Sequence, residues 1–495
     1  MATTKQWFAL GVLMLPTLLV SIDNTVLSFA LPSIARDLRP SAVAQLWIVD
    51  VYPLVLAALL VGMGNLGDRF GRRRLLLIGA SGFGIVSVLA AFAPDATSLV
   101  LARILLGVFG AMLMPSTLSL LRSLFVDRRQ RRLAIAIWAA GFSAGSAIGP
   151  LVGGVLLENF WWGSVFLVAV PFLLPLLIFA PVLIPESKDP TPGPFDLGSI
   201  LLSIFALGPA VYAIKELATE GVGVLPIALL VIAALSGTFF VRRLLGQANP
   251  MLDMQLFRVP SFSGAVLVNL VSVFSLLGLL FFLTQHLQLV EGLSPFDAAL
   301  ALTPGILVII VAGLVVVPLV RFVRPGYLMA GGLMLSLLAY GSIALTGSDA
   351  TVLSYIVAFC VLGAGIGSAE TLSNDLIISS VTPDKAGAAS GVSETAYELG
   401  AVLGTAVLGS ILTASYRSTI DIPQGLSAVD ATAARETLGG AVEVASALPG
   451  GLGEQLLESA RHAFDSGVVT TSWVAVALMA VAITITLVTL RSVRS

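Results

Sequence analysis

Fourteen apolar runs, each close to the ~20 residues a helix needs to cross a bilayer, decide what this chain can fold into. They lie at roughly 7–30, 46–66, 75–93, 98–120, 133–157, 165–184, 197–214, 223–241, 263–284, 298–320, 327–346, 352–378, 387–413 and 468–490. Charged residues make up 11% of the chain, against about 25% in an ordinary soluble domain. The expectation is an all-α polytopic membrane protein. The first run is longer than a signal-peptide core of about 7–15 residues, and no small-residue cleavage site interrupts it early, so it reads as span 1.

Several chemistries are excluded at this level. Cys360 is the single cysteine and His286 and His462 are the two histidines, so neither an internal disulfide nor a Cys/His metal cluster is expected. No G-x-x-x-x-G-K-[ST] loop is present, which removes nucleotide-driven transport. The string Gly141-Phe-Ser143-Ala-Gly145 matches a hydrolase nucleophile elbow in letters only, because it falls inside a span instead of at a strand-to-helix turn. No enzyme, no cofactor and no nucleic-acid partner is expected; energy comes from an ion gradient, or transport is passive.

The stretch 64–74 sets the orientation. It holds Asp68, Arg69, Arg72, Arg73 and Arg74 between spans 2 and 3. Gly67 and Gly71 suit a tight turn, and four arginines in a short loop are costly to translocate. With this loop and the N-terminus inside, nineteen of the 26 Lys and Arg face the cytoplasm. Arg36, Arg39, Lys215, Arg417, Arg435 and Arg461 face out, and Arg103 lies within span 4. Both termini are then cytoplasmic.

A repeat organises the rest. Gly145, Gly149 and Gly154 in span 5 return at an offset of 255 as Gly400, Gly404 and Gly409 in span 13. Such a repeat predicts two six-span bundles, 1–185 and 261–495, related by an axis along the membrane normal. The segment 186–260 then supplies a linker and two inserted spans. Residues 414–467 form an external hairpin, with short helices expected at 431–447 and 453–464. Gly141, Gly145, Gly149 and Gly153 line one face of span 5, where a neighbouring helix can approach closely.

Charges within spans are costly and mark functional hypotheses. Asp23 in span 1 lies about 10 Å below the outer end and Arg103 about 8 Å, at 1.5 Å per residue; their matching depth predicts a pair. Asp50 in span 2 is near the same level. Glu394 and Glu398 are four apart, hence on one face of span 13, where the repeat places Ala139 and Ser143 in span 5. Glu398 is mid-span. Trp138, Phe142 and Tyr397 are aromatic neighbours able to hold a cation. His286 reads as an incidental loop residue at the outer end of span 9.

The turn 64–74 resembles the G-x-L-x-D-R-x-G-R-R loop between the second and third helices of major facilitator transporters, matching at Gly64, Leu66, Asp68, Arg69, Gly71, Arg72 and Arg73. Gly145, Gly149, Pro150, Gly153 and Gly154 resemble the antiporter signature of drug exporters. Arg103 with Gly107 and Gly110 resembles the span-4 motif associated with proton coupling. Taken whole, the chain resembles fourteen-span drug:proton antiporters of the major facilitator superfamily, and within them bacterial exporters of quaternary ammonium and biguanide compounds. The resemblance implies a monomer in the bacterial inner membrane, among membrane lipids, that exports lipophilic cations against protons. Asp23, Arg103 and Glu398 would couple protons. Glu394, Glu398, Asp50, Trp138, Phe142 and Tyr397 would contact substrate. Asp68, Arg69 and Arg72 would form a conformational latch, with Asp68 reaching the start of span 11 in the other half. Span 10 carries only Asp297, at its outer edge, so a second deep anionic contact for dications is not expected there. Export of a natural peptide, lipid or siderophore, an uncoupled facilitator, and a membrane sensor stay open as alternatives.

Overall fold

The computed structural model describes residues 3–125, 127–188, 196–219, 221–247, 250, 254–347, 350–381 and 386–490. The helices are α1 Thr4–Leu38, α2 Ala42–Phe70, α3 Arg72–Ala91, α4 Ala96–Leu124, α5 Arg128–Asn159, α6 Ser164–Leu167 and α7 Ala169–Leu183. Then follow α8 Leu197–Thr219, α9 Val224–Leu245, α10 Pro260–Gln285, α11 Pro295–Leu319, α12 Pro325–Thr346, α13 Val352–Ser379 and α14 Ala386–Leu403. The last are α15 Ser410–Thr419, α16 Ala428–Glu436, α17 Leu438–Ala447 and α18 Gly450–Leu490. Hydrocarbon cannot satisfy backbone N–H and C=O groups, so spans must close their bonds internally. Their ends are closed by side chains: Ser41, Asp95, Asp127, Ser294 and Thr351 each accept an N-terminal amide, as N-caps do. Among the described residues, 13 helices are long and apolar enough to cross a membrane. Helix α5, with 32 residues, adds the fifth span of the sequence reading; its described apolar stretch is Ile148–Asn159. The chain is a multi-pass membrane protein.

Three expectations need correction. The external segment does not hold two separate helices at 431–447 and 453–464. Thr437 breaks the first stretch by capping a new helix with its side chain. The second is the start of α18, which runs 41 residues without interruption, because nothing between Gly453 and Val468 stops a helix. Lys215 is not in an outer loop: α8 continues past it to Thr219, and it is fully buried. His286 is not at a loop start either. Helix α10 passes into a π-helical turn, His286–Val290, which buries the ring between Tyr355 and Phe464 with Nδ1 3.0 Å from Asp465.

The two halves pack in the same order. Helix α1 lies on α5, and α2 and α3 lie on α4; correspondingly α10 lies on α14, and α11 and α12 lie on α13. The seam between halves is made by α5 with α11 and α2 with α14. Helices α8 and α9 pair with one another, and α8 leans on α2. At the face carrying the hairpin, the halves are tied directly. Gln45 donates to Gln285 at 3.2 Å and Gln288 to the Phe29 carbonyl at 3.2 Å, while Glu436 accepts the Ala42 amide at 2.8 Å.

At the opposite face, Gly71 ends α2 with φ +118°, a conformation that favours glycine. A side chain there would also strike the Glu186 carboxylate. Glu186 accepts the amides of Arg73 (2.9 Å) and Arg74 (3.2 Å) at the start of α3, where the helix dipole favours an anion. Asp68 pairs with Arg72 at 2.7 Å, within its own turn, and Arg72 also reaches Ser187 at 3.3 Å. The basic turn is thereby bound to the linker that follows the first half.

Candidate functional site

Helix α14 and the π-turn Gly404–Gly409 that continues it present one stripe to the other half: Glu394, Glu398, Ala401 and Thr405. Spacings of four, three and four residues keep these on a single face. The glycines beside the stripe fix its position. Gly400 and Gly404 press against the backbone carbonyls of Leu270 and Phe274 on α10, with no room for a Cβ. In the first half, Gly145 and Gly149 receive Ser21 and Thr25 of α1 in the same manner. Pro150 is buried nearby. Gly153 meets Val26 of α1, and Gly154 meets Phe296 and Ala299 of α11 across the seam.

Glu398 is 4% exposed. Its Oε2 has no hydrogen-bond partner among the described residues. It sits against Asn24 and within electrostatic reach of Glu394, Asp23 and Arg103. Burying a carboxylate with one oxygen unpartnered is expensive. Glu394, one turn away, is half-buried and lies within reach of Arg122 on α4.

Asp23 and Arg103 are brought together. Arg103 donates through Nη1 to Asp23 at 2.7 Å and through Nε to the Ile48 carbonyl at 3.1 Å, with its Cζ 4.4 Å over the Tyr52 ring. The guanidinium is therefore held from three sides, the condition under which a buried pair can offset its desolvation. A small cavity of about 20 Å³ opens beside it, lined by Asn24, Ser28, Val49, Pro53, Arg103 and Thr405 among others. It straddles the seam.

Asp50 behaves differently. Both it and Lys215 are fully buried, with Lys215 Nζ 2.9 Å from Asp50 and 3.8 Å over the Trp47 ring. The Thr405 hydroxyl, which donates to the Ala401 carbonyl at 2.7 Å, lies next to the same carboxylate. Asp50 therefore lies behind the cavity wall, not on it, and the expected substrate contact is taken by a lysine from an inserted helix. The sequence reading missed Lys215. The signal was present, since the helical pattern Val211, Lys215 continues past the end given to span 7.

Trp138 is buried in the first-half core, its N–H donates to Thr117 at 3.3 Å, and it is not among the residues that line this cavity. Tyr397 is half-buried on α14. The side chain of Phe142 lies outside the described residues. A polar knot was not foreseen: Asn269 donates to Asn374 at 2.9 Å and to Ser393 at 3.4 Å, tying α10, α13 and α14 together just below Glu394.

The arrangement supplies one open buried acid, one shielded ion pair beside it and a cavity between two halves. No metal-binding group of three His, Cys, Asp or Glu occurs among the described residues.

Comparison with known proteins identifies the family. A family model described as the Major Facilitator Superfamily matches residues 13–405. The multidrug efflux pump LfrA of Mycolicibacterium smegmatis is 57% identical over 96% of this chain and 94% of its own length. The methyl viologen resistance protein SmvA of Salmonella typhimurium is 36% identical over 93% of each chain. The tetracenomycin C resistance and export protein of Streptomyces glaucescens is 31% identical over 98% and 92%. Among solved structures, an inward-facing, unoccupied bacterial homologue of the human lysosomal transporter Spinster matches with a TM-score of 0.69, at 18% identity, over 100% of this chain and 99% of its own. A POT family transporter matches with a TM-score of 0.62, at 14% identity, over 88% and 93%. These structures share the fold.

Proposed function

Because this chain belongs to the Major Facilitator Superfamily, we propose that its seam is the working site of a proton-driven exporter of lipophilic cationic drugs, dyes and antiseptics. The observation that carries the proposal is Glu398, a buried carboxylate with an unpartnered oxygen on the face of α14 turned to the other half. An ionised Glu398 attracts a cation that the apolar walls also hold. A proton arriving from the other side neutralises it and the cation loses its partner. Competition for one carboxylate couples the two fluxes, because each ligand shifts the equilibrium by its differential affinity. Asp23 and Arg103 sit within electrostatic reach of the same acid and would transmit its change of charge to α1, α2 and α4.

Orientation follows from the basic turn, with the N-terminus and 64–74 on the cytoplasmic side of the bacterial inner membrane. The hairpin face, tied by Gln45–Gln285 and Ala42–Glu436, is then the closed outer gate. This conformation would take its cation from the cytoplasm. Asp68 engaged with Arg72 in its own half suits that state; meeting the start of α12 would belong to the outward-open one. The names of LfrA, SmvA and the tetracenomycin C exporter support drug export as the direction and class.

The test is transport in proteoliposomes with an imposed proton gradient, using ethidium. Wild-type protein is expected to move ethidium against its gradient, and Glu398→Gln is expected to abolish this while remaining folded. Undiminished uptake by Glu398→Gln would remove Glu398 from the mechanism.

A further inference from the structure

Behind the cavity wall lies an ammonium site already filled by the protein itself. A carboxylate facing an aromatic ring is the standard recognition pair for an organic ammonium. Asp50 and Trp47, three residues apart on α2, form this pair. Its occupant is the Lys215 ammonium, 2.9 Å from the carboxylate and 3.8 Å over the ring. Tyr212, one turn earlier on α8, lies 5.9 Å from Trp47, centroid to centroid. Leu54, Val211, Val402 and Ala406 seal the surroundings. Ser203 on α8 donates to the Ala58 carbonyl of α2 at 3.2 Å, which holds the inserted helix against its neighbour.

The site is one layer from the cavity. Thr405 lines the cavity and lies next to Asp50. Glu398 stands seven residues before Thr405 on the same stripe, about 10 Å along the helix. Glu398 and Asp50 are thus two anionic positions close to one cavity, one for each charge of a dication.

We propose that Asp50 with Trp47 is a second cation subsite, that Lys215 occupies it as a built-in surrogate ligand, and that this occupancy sets the transporter's preference for singly charged substrates. With Lys215 in place, Asp50 is neutralised, so only Glu398 is open to an incoming charge. The second charge of a dication then meets an ammonium ion instead of a carboxylate, and its desolvation is left uncompensated. The proposal rests on the reading of Glu398 as the primary cation site.

The test uses ethidium, a monocation, and propidium, which has the same ring system and a second quaternary ammonium. Binding is measured on purified, detergent-solubilised protein. Wild type is expected to bind ethidium more tightly than propidium. Lys215→Gln is expected to raise propidium affinity about tenfold, the factor that 1.4 kcal/mol gives, and to leave ethidium nearly unchanged. The double variant Lys215→Gln with Asp50→Asn should lose that gain and keep ethidium binding. If wild type binds no ethidium, the primary-site reading fails. If ethidium binds normally and Lys215→Gln gains nothing for propidium, the surrogate-ligand proposal fails alone. A second arm covers a variant that folds poorly. Lys215→Ala is purified with n-butylammonium or with n-butanol. The amine, and not the alcohol, should raise its folded yield and thermal midpoint, and should have no such effect once Asp50→Asn is added. Equal effects of amine and alcohol would overturn the proposal.

Discussion

Helix α5 and the span formed by α14, its π-turn and α15 carry the same glycine spacing, at 145, 149 and 154 in one and 400, 404 and 409 in the other. Each uses its first two glycines to approach the first helix of its own half. Each turns its third across the seam, Gly154 to Phe296 and Ala299 and Gly409 to Leu46. Beyond that they diverge. Where α5 has Ala139 and Ser143, α14 has Glu394 and Glu398. Only the second span is interrupted by a π-turn, a feature found often at functional sites. That turn places Thr405 between the cavity and Asp50. The difference separates two roles that a repeat can share out: both helices are scaffolds, and one has in addition been given buried charge.

The largest expected effects test the shared role. Gly149→Leu should strike Thr25 and the Ile22 carbonyl, and Gly404→Leu the Phe274 carbonyl. Here backbone must move, which takes both variants well past the about 1–3 kcal/mol of ordinary overpacking and endangers the fold itself. Both variants should lose most of their monodisperse protein in fluorescence-detected size-exclusion chromatography. Normal yield from either would break the equivalence of the two scaffolds. Next in size is Arg103→Ala, which strands Asp23 in a site where it is 8% exposed. Removing one partner of a buried pair typically costs about 3–5 kcal/mol. The thermal midpoint in detergent should fall clearly, and Asp23→Asn in the same chain should restore part of it. An unchanged midpoint would show that the pair does not matter to the folded state.

Smaller effects sharpen the acidic stripe. Glu394→Gln should raise the ethidium Kd by about two- to fivefold, as for a partly screened charge contact, with coupled proton release retained. Loss of coupling in this variant would move the central role from Glu398 to Glu394. The smallest effect concerns a charge remote from the seam. Desolvation raises the Asp196 carboxyl, but hydrogen bonds from Arg243, Ser199 and Gln247 outweigh it and hold it below the usual carboxylate range. A depressed folded-state value means that its contribution is present above the unfolded value, about 3.9, and is lost as pH falls through the folded one. Asp196→Asn should therefore lower the thermal midpoint slightly and equally at pH 5 and pH 7, with the gap closing below about pH 4. Arg243 is about half exposed, so screening keeps the effect small. A gap that widens on acidification would contradict the assignment.

The spans and the repeat were legible because apolar length and glycine spacing are local properties of sequence. The Asp23–Arg103 contact was legible for a related reason: depth along a helix can be counted. Contacts between distant spans were less so. Lys215 was misplaced because a charged residue near the end of an apolar run looks like a loop, and only a partner on α2 tells otherwise. The Glu186 cap on α3 and the Asn269–Asn374–Ser393 knot join elements far apart in sequence, with no periodicity to announce them. His286 was misread because a π-turn has no simple apolar pattern and continues a helix where hydropathy suggests an end.

The claim at the centre of this account is that one carboxylate, Glu398, is emptied of its proton when a cation binds. The direct measurement is proton release on adding ethidium to purified protein in weakly buffered detergent solution at pH 7, followed by a pH dye. The account predicts release by wild type in proportion to ethidium bound, and none from Glu398→Gln at any ethidium concentration. Release from Glu398→Gln equal to that of wild type would contradict it.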